Sequence, residues 1–86
     1  MPTISRFFGI VIRMYFDDHA PPHFHASYGS DEAEIGIESI GLLAGRLTPR
    51  AWALVVEWAA QHQDELRQNW ALLHSAQPPV QIPPLE

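Results

Sequence analysis

At Thr48-Pro49 the apolar residues change their spacing, from every second position upstream to every third or fourth downstream. No single kind of secondary structure satisfies both patterns, so the chain must combine strands with helix. The boundary is sharp because threonine is a good N-cap and proline fits the first helical position, where its missing N–H costs nothing. Downstream, Ala51, Val55, Trp58, Ala59, Leu66, Trp70 and Leu73 fall on one stripe, opposite Arg50, Glu57, Gln61, Asp64 and Gln68. The pattern predicts a helix from Thr48 to about Ser75, ended by Pro78-Pro79. At the standard rise, a stripe of about 25 residues is about 37 Å long, so its last turns overhang a sheet of ordinary strands or meet the tail.

Upstream, Ile10, Ile12, Met14 and Phe16 alternate with Val11, Arg13 and Tyr15, which predicts a strand over Ile10–Phe16. Pro21-Pro22 forces a loop over residues 17–22. A second strand, His23–Tyr28, is expected to bury Phe24, Ala26 and Tyr28 and to turn His23, His25 and Ser27 outward, away from the helix. Gly29-Ser30-Asp31 supplies a turn. The third strand, Glu32–Glu38, buries Ala33, Ile35 and Ile37 and exposes Glu32, Glu34 and Glu38. Leu42–Leu47 makes a short fourth strand that Gly45 weakens or bulges. The expected class is α+β, a three- to four-stranded antiparallel sheet packed against one long C-terminal helix.

A chain of 86 residues supports one core and not two. Residues 1–75 are read as that domain. Residues 76–86, with four prolines and spaced Val80, Ile82 and Leu85, are read as an extended tail lying on a surface. With 47% hydrophobic and 17% charged residues the chain is apolar enough to fold. A net charge of −5 gives no basic footprint for nucleic acid, which disfavours nucleic-acid binding by this chain alone. Phe7–Phe16 is broken by Gly9 and Arg13 and is about half of the ~20 residues a membrane helix needs. Asp17 and Asp18 stand where a signal peptide would carry its small-residue cleavage site, so neither export nor membrane anchoring is expected. There is no cysteine, which fits a reducing cytoplasm and leaves only histidine and carboxylate as metal ligands.

The densest chemistry lies in Asp17-Asp18-His19-Ala20-Pro21-Pro22-His23-Phe24-His25, three histidines and two carboxylates in nine residues. Imidazoles two apart on a strand share a face with Cα atoms under about 7 Å apart. Pairing with the third strand brings Glu34 or Glu38 beside them. Three readings stay open: a loop stiffened by histidine–carboxylate pairs, an acid–base site, and a metal site drawing on His19, His23, His25 and Glu34. No cofactor is required, the alternative being a divalent metal such as zinc. His62 falls mid-stripe, where a polar ring must find a partner. Trp58 and Trp70 read as core, and Trp52, at the edge of the stripe, as core or as an anchor for a partner. The isolated glycines build no phosphate-binding loop, and no serine-nucleophile elbow is present.

The opening Met1-Pro2-Thr3-Ile4-Ser5-Arg6-Phe7-Phe8-Gly9-Ile10, the Asp18–His25 block, Glu57-Trp58-Ala59 with His62, and Asn69-Trp70 together resemble the small prokaryotic domain-of-unknown-function family numbered 4160. The resemblance covers nearly the whole chain. It implies no catalytic residue. It does imply a context, because such proteins are commonly encoded beside a small protein of the family numbered 2442, in an arrangement like that of toxin–antitoxin pairs.

The first functional expectation is therefore a protein-binding component of such a two-gene system. It would contact its partner through Tyr15, His23 and His25 on the outward sheet face, through a sheet edge, or through the proline-rich tail, and homo-oligomers are left open. The alternative is a small hydrolase or ribonuclease using His19, His23 and His25, with Arg6, Arg13 or Arg46 holding a phosphate. Because Phe24, Ala26 and Tyr28 supply the buried side, removal of the His23 and His25 imidazoles is expected to leave stability nearly unchanged.

Overall fold

The computed structural model describes residues 2–86; Met1, the first residue of the expected 1–75 unit and of the family-like opening, lies outside the described residues. Five strands form a single antiparallel meander: β1 (Thr3–Phe7), β2 (Ile10–Arg13), β3 (His23–Tyr28), β4 (Asp31–Gly36) and β5 (Leu42–Gly45), in the order β1-β2-β3-β4-β5. Two helices follow, α1 (Pro49–Gln61) and α2 (Gln63–Leu73). The α+β class stands. The expected three to four strands become five, and the expected single helix becomes two.

The additional strand is β1. It is joined to β2 by Phe8 and Gly9, whose φ values of 49° and 81° both lie in the left-handed region that a two-residue hairpin turn of type I′ uses. Phenylalanine is a poor signal for that position, and its ring is left exposed. Strand β2 stops at Arg13, three residues short of expectation; Met14 is buried, while Phe16 is exposed. In β3, Phe24 and Ala26 are buried as expected, but Tyr28 is not, because it lies at the end of the sheet with its ring over Gly9. Ala33 and Ile35 in β4, and Ile37 just beyond it, are fully buried. At Gly45 (φ 75°) a Cβ would stand 2.1 Å from the Glu32 carbonyl oxygen, so only glycine allows the close pairing of β5 with β4.

Thr48 caps α1 as its sequence suggests, its hydroxyl accepting the Ala51 N–H at 3.2 Å with Pro49 at the first helical position. Ala51, Val55, Trp58 and Ala59 are buried against the sheet. Trp58 meets Phe24 edge-on, with ring centroids 5.8 Å apart, and lies 5.4 Å from Phe7. His62 then leaves helical geometry (φ −127°, ψ 26°) and separates the helices. Gln63 is anchored there by donating to the carbonyls of Ile37 (2.7 Å) and Glu38 (3.0 Å), which ties the start of α2 to the end of β4. Beyond the break the expected stripe holds at Leu66 and Leu73 but not between them. Asn69 is buried where Trp70 was expected, and Trp70 is half-buried.

Helix α2 ends with Ala76 in the left-handed region (φ 58°), the Ala76 N–H on the Leu73 carbonyl and the Gln77 N–H on the Leu72 carbonyl, a Schellman closure completed without glycine. Residues 77–86 form neither helix nor strand, and they contribute to the core. Ile82 and Leu85 are buried in the same cluster as Trp58. The Ile82 N–H donates to the Ile4 carbonyl (2.8 Å), and Trp58 Nε1 donates to the Pro83 carbonyl (2.9 Å). The tail therefore runs beside β1 and covers that edge of the sheet. At the opposite edge, every residue of β5 is exposed.

Candidate functional site

The site forms where the loop between β2 and β3 folds back over the outward face of β3. The register sets His25 opposite Glu34 on one side and Arg13 on the other, and His23 opposite Gly36. The loop is held to the sheet by the Ile37 N–H donating to the Pro22 carbonyl at 3.0 Å. Within the loop, the Asp18 carboxylate accepts the Tyr15 N–H (3.2 Å) and is thereby aimed at the histidines.

His25 Nε2 lies 3.2 and 3.3 Å from the two oxygens of Asp18. His23 Nε2 lies 3.7 Å from Asp18 Oδ1 and 3.6 Å from Glu34 Oε1. One ligand atom from each of Asp18, His23 and His25 falls within 4.8 Å of the others. His23 Nδ1 donates to the Pro21 carbonyl at 2.8 Å, and a carbonyl can only accept, so the neutral ring carries its proton on Nδ1. His25 Nδ1 faces Glu32 Oε2 at 3.6 Å. The rings are wedged in place: Tyr15 stands edge-on to His25 (4.6 Å), and Trp70 lies 5.5 Å from His23. Burial, with the Glu32 carboxylate adding to it, pushes the Tyr15 hydroxyl above its usual pKa. A cleft of about 530 Å³, walled by Asp17, Asp18, His19, His23, His25 and Glu34, opens onto the group.

Of the histidines expected to act together, the structure joins His23 and His25 but leaves His19 exposed on the cleft wall, outside the cluster. Asp18 takes that third place. Glu34 comes beside His23, whereas Glu38 is drawn away to Arg67 of α2. His23 is on the outward face of the sheet but is only 6% exposed, covered by the proline loop and by Trp70. It does not point into solvent away from the helices, as the strand alternation alone implied. His62 contacts Trp58 and pairs with Glu65 at the helix break.

A histidine that the local sequence does not single out meets the loop instead. His74, in the turn after α2, stacks on Trp70 (4.1 Å) and places Nδ1 on the Trp70 carbonyl and Nε2 on the Asp18 carbonyl, both at 2.9 Å. Two ring nitrogens can donate together only in the imidazolium. The Asp18 carbonyl first, and the Trp70 carbonyl second, raise the His74 pKa above its usual value, and the helix C-terminus also favours a cation there.

The electrostatic character of the cleft is anionic, with Asp17, Asp18 and Glu34 around it. Of the arginines that a phosphate-cleaving reading needs, Arg46 pairs with Asp31 and Arg6 lines a separate hollow beside the tail, while Arg13, the cross-strand neighbour of His25, donates to Ser27.

A family model described as a domain of unknown function (DUF4160) matches residues 9–71. The chain belongs to this family. The DUF4160 match spans β2 to β5, α1 and most of α2, and it takes in Asp18, His23, His25 and Glu34. No curated protein and no solved structure matches the chain. Among the described residues, no helix of this DUF4160 protein is long and apolar enough to cross a membrane.

Proposed function

We propose that this DUF4160 protein is a protein-binding component of a two-gene, toxin–antitoxin-like system and takes its partner along the β5 edge. The observation that carries this reading is the asymmetry of the sheet. The β1 edge is covered by the chain's own tail, whereas β5 is exposed throughout, with Leu42 at 51% and Leu43 at 46%. Exposed edges are normally guarded by charges, proline, bulges or shortness; Leu42–Gly45 carries no charge and no proline, and relies on its four-residue length and its irregular pairing with β4. Beside the edge, Leu42, Leu47, Pro49 and Trp52, with Arg46 at their side, surround a largely apolar hollow of about 380 Å³. A partner segment added as a further strand gains backbone hydrogen bonds from β5, an apolar side chain fills the hollow, and a basic side chain meets Glu32 and Glu34 on the outward face. Tyr15 and His25 stand next to that path, while the tail, already docked, is not the adhesive element.

The partner we propose is the neighbouring gene product of the family numbered 2442, and a cysteine-free chain accords with a cytoplasmic setting. The test is co-expression and co-purification of the two chains. Leu42→Lys with Leu43→Lys is expected to abolish association while leaving the thermal midpoint within a few degrees. Association undiminished in that double variant would exclude the edge, and pairing of the purified chain with itself through the same residues would identify a homo-oligomer in its place.

A further inference from the structure

We infer that Asp18, His23 and His25 form a binding site for one divalent transition-metal ion of the zinc and ferrous-iron class, with Glu34 beside it as a fourth group. This inference does not depend on the partner proposed above.

The first ground is the orientation of the rings. His23 gives its Nδ1 proton to the Pro21 carbonyl, so the lone pair of Nε2 faces Asp18 and Glu34. His25 also directs Nε2 at Asp18, within hydrogen-bond distance, while its Nδ1 stands 3.6 Å from the Glu32 carboxylate, beyond a direct hydrogen bond. For His23, an oxygen acceptor behind the imidazole, with the other nitrogen turned to a point shared with His25 and Asp18, is the arrangement that fixes the tautomer of a metal-bound histidine and raises its basicity. A loop stiffened only by hydrogen bonds needs no such convergence.

The second ground is spacing. Ligand atoms at about 2.0–2.1 Å from a tetrahedral ion stand about 3.3–3.4 Å from one another. The separations here are 3.2 Å for His25 Nε2 to Asp18 Oδ2, 3.6 Å for His23 Nε2 to Glu34 Oε1 and 3.7 Å for His23 Nε2 to Asp18 Oδ1. The two longer distances exceed a hydrogen bond. With its proton on Nδ1, a neutral His23 points a lone pair at two carboxylate oxygens, a repulsive arrangement that a metal ion between them, or a second proton on Nε2, converts to an attractive one.

The third ground is donor chemistry and rigidity. Two imidazoles with a carboxylate select zinc, ferrous iron and their neighbours, and do not suit magnesium or calcium, which take oxygen ligands. Both histidines lie on one strand, and the loop carrying Asp18 is fastened by Pro22 to Ile37 and by His74 to the Asp18 carbonyl. Glu34 is 43% exposed at its side chain, so the open side of the site faces the cleft and leaves a coordination position for water or a ligand group.

The test begins with the full chain stripped by chelator and titrated with cobalt(II), then with zinc. One equivalent of cobalt is expected to bind with the visible absorption of a four- or five-coordinate ion, displaced by zinc and not by magnesium. In the imidazole nitrogen NMR spectrum of the unaltered protein, zinc should shift Nε2 of His23 and His25 and leave His62 unmoved. His25→Gln and Asp18→Asn, each shown to be folded by circular dichroism, should weaken binding by about 100-fold or more, against no change in His62→Ala. Zinc that shifts His62 or His74 instead of the pair, binding unaffected in the folded His25→Gln protein, or no stoichiometric binding by the unaltered chain would each overturn the inference.

Discussion

Asn69 grips Val80 with both ends of its side-chain amide, Nδ2 donating to the Val80 carbonyl at 2.8 Å and Oδ1 accepting the Val80 N–H at 2.7 Å. The amide thus stands in for one residue of a neighbouring strand. It explains how a polar residue that is 1% exposed is accommodated in the core, and how a proline-rich tail is brought in to bury Ile82 and Leu85. Replacing Asn69 with Leu keeps the volume but leaves the Val80 N–H and carbonyl without partners. A loss of about 1–3 kcal/mol is expected in denaturant unfolding, with the tail amides losing hydrogen-exchange protection first. Unchanged protection from Val80 to Leu85 would show that the tail is held by other contacts.

Trp58 couples the same tail to the sheet through its ring on Phe24 and Phe7 and its Nε1–H on Pro83. Trp58→Ala is expected to cost about 3–5 kcal/mol as a large-to-small core change. Trp58→Phe retains most of the apolar contact but strands the Pro83 carbonyl, at about 0.5–1.5 kcal/mol. Chemical denaturation of the two variants separates volume from hydrogen bond; equal losses would mean that the bond to Pro83 carries the effect.

The sequence pattern revealed those parts of the fold whose signals are local. The Thr48-Pro49 start of α1, the buried Ala33, Ile35 and Ile37, and Phe24 facing the helix all follow from spacing alone. What it did not reveal depends on tertiary partners. The β1–β2 hairpin turns on Phe8, a residue without turn preference, and the break at His62 has neither proline nor glycine and rests on Gln63 reaching the end of β4. At the site, His23, His25 and Glu34 were legible from strand register, but the choice of Asp18 over His19 depends on how the loop folds back. His74 reaches Asp18 from the turn after α2, stacked on Trp70, which itself packs against His23, a contact set by tertiary packing alone.

Arg67 holds Glu38 in a two-bonded fork, Nε to Oε2 at 2.8 Å and Nη2 to Oε1 at 3.0 Å, joining α2 to the chain after β4. The hydrogen bonds from Arg67 lower the Glu38 pKa below its usual value. The sign follows from linkage: the contribution is present above the pKa of the unfolded carboxyl and is lost as pH falls through the lower folded value. Both groups are exposed, so the effect on overall stability is small and screened by salt. Carboxyl carbon NMR titration should show Glu38 titrating below an ordinary glutamate, and Arg67→Gln should return it to the usual range. A Glu38 curve that is the same in both proteins would dissolve the pair.

The burial of His23 separates it from His25 in what each does for the fold. His23 is 6% exposed, bonded to the Pro21 carbonyl and packed between His25 and Trp70, so His23→Ala removes ring contacts and leaves that carbonyl unpaired beneath the loop. His25 is partly open to the cleft, and without it Asp18 keeps the Tyr15 N–H and gains water. In chelator-treated protein, His23→Ala is therefore expected to cost about 1–3 kcal/mol and His25→Ala less than about 1 kcal/mol. For His23 this departs from the expectation of strand alternation that the imidazole is dispensable for stability; for His25 it keeps that expectation. The measurement is urea unfolding of the two single variants at pH 7.5. Equal, near-zero losses would mean that the proline loop and Trp70 close over the gap without His23, and that the outward face of β3 contributes to binding alone.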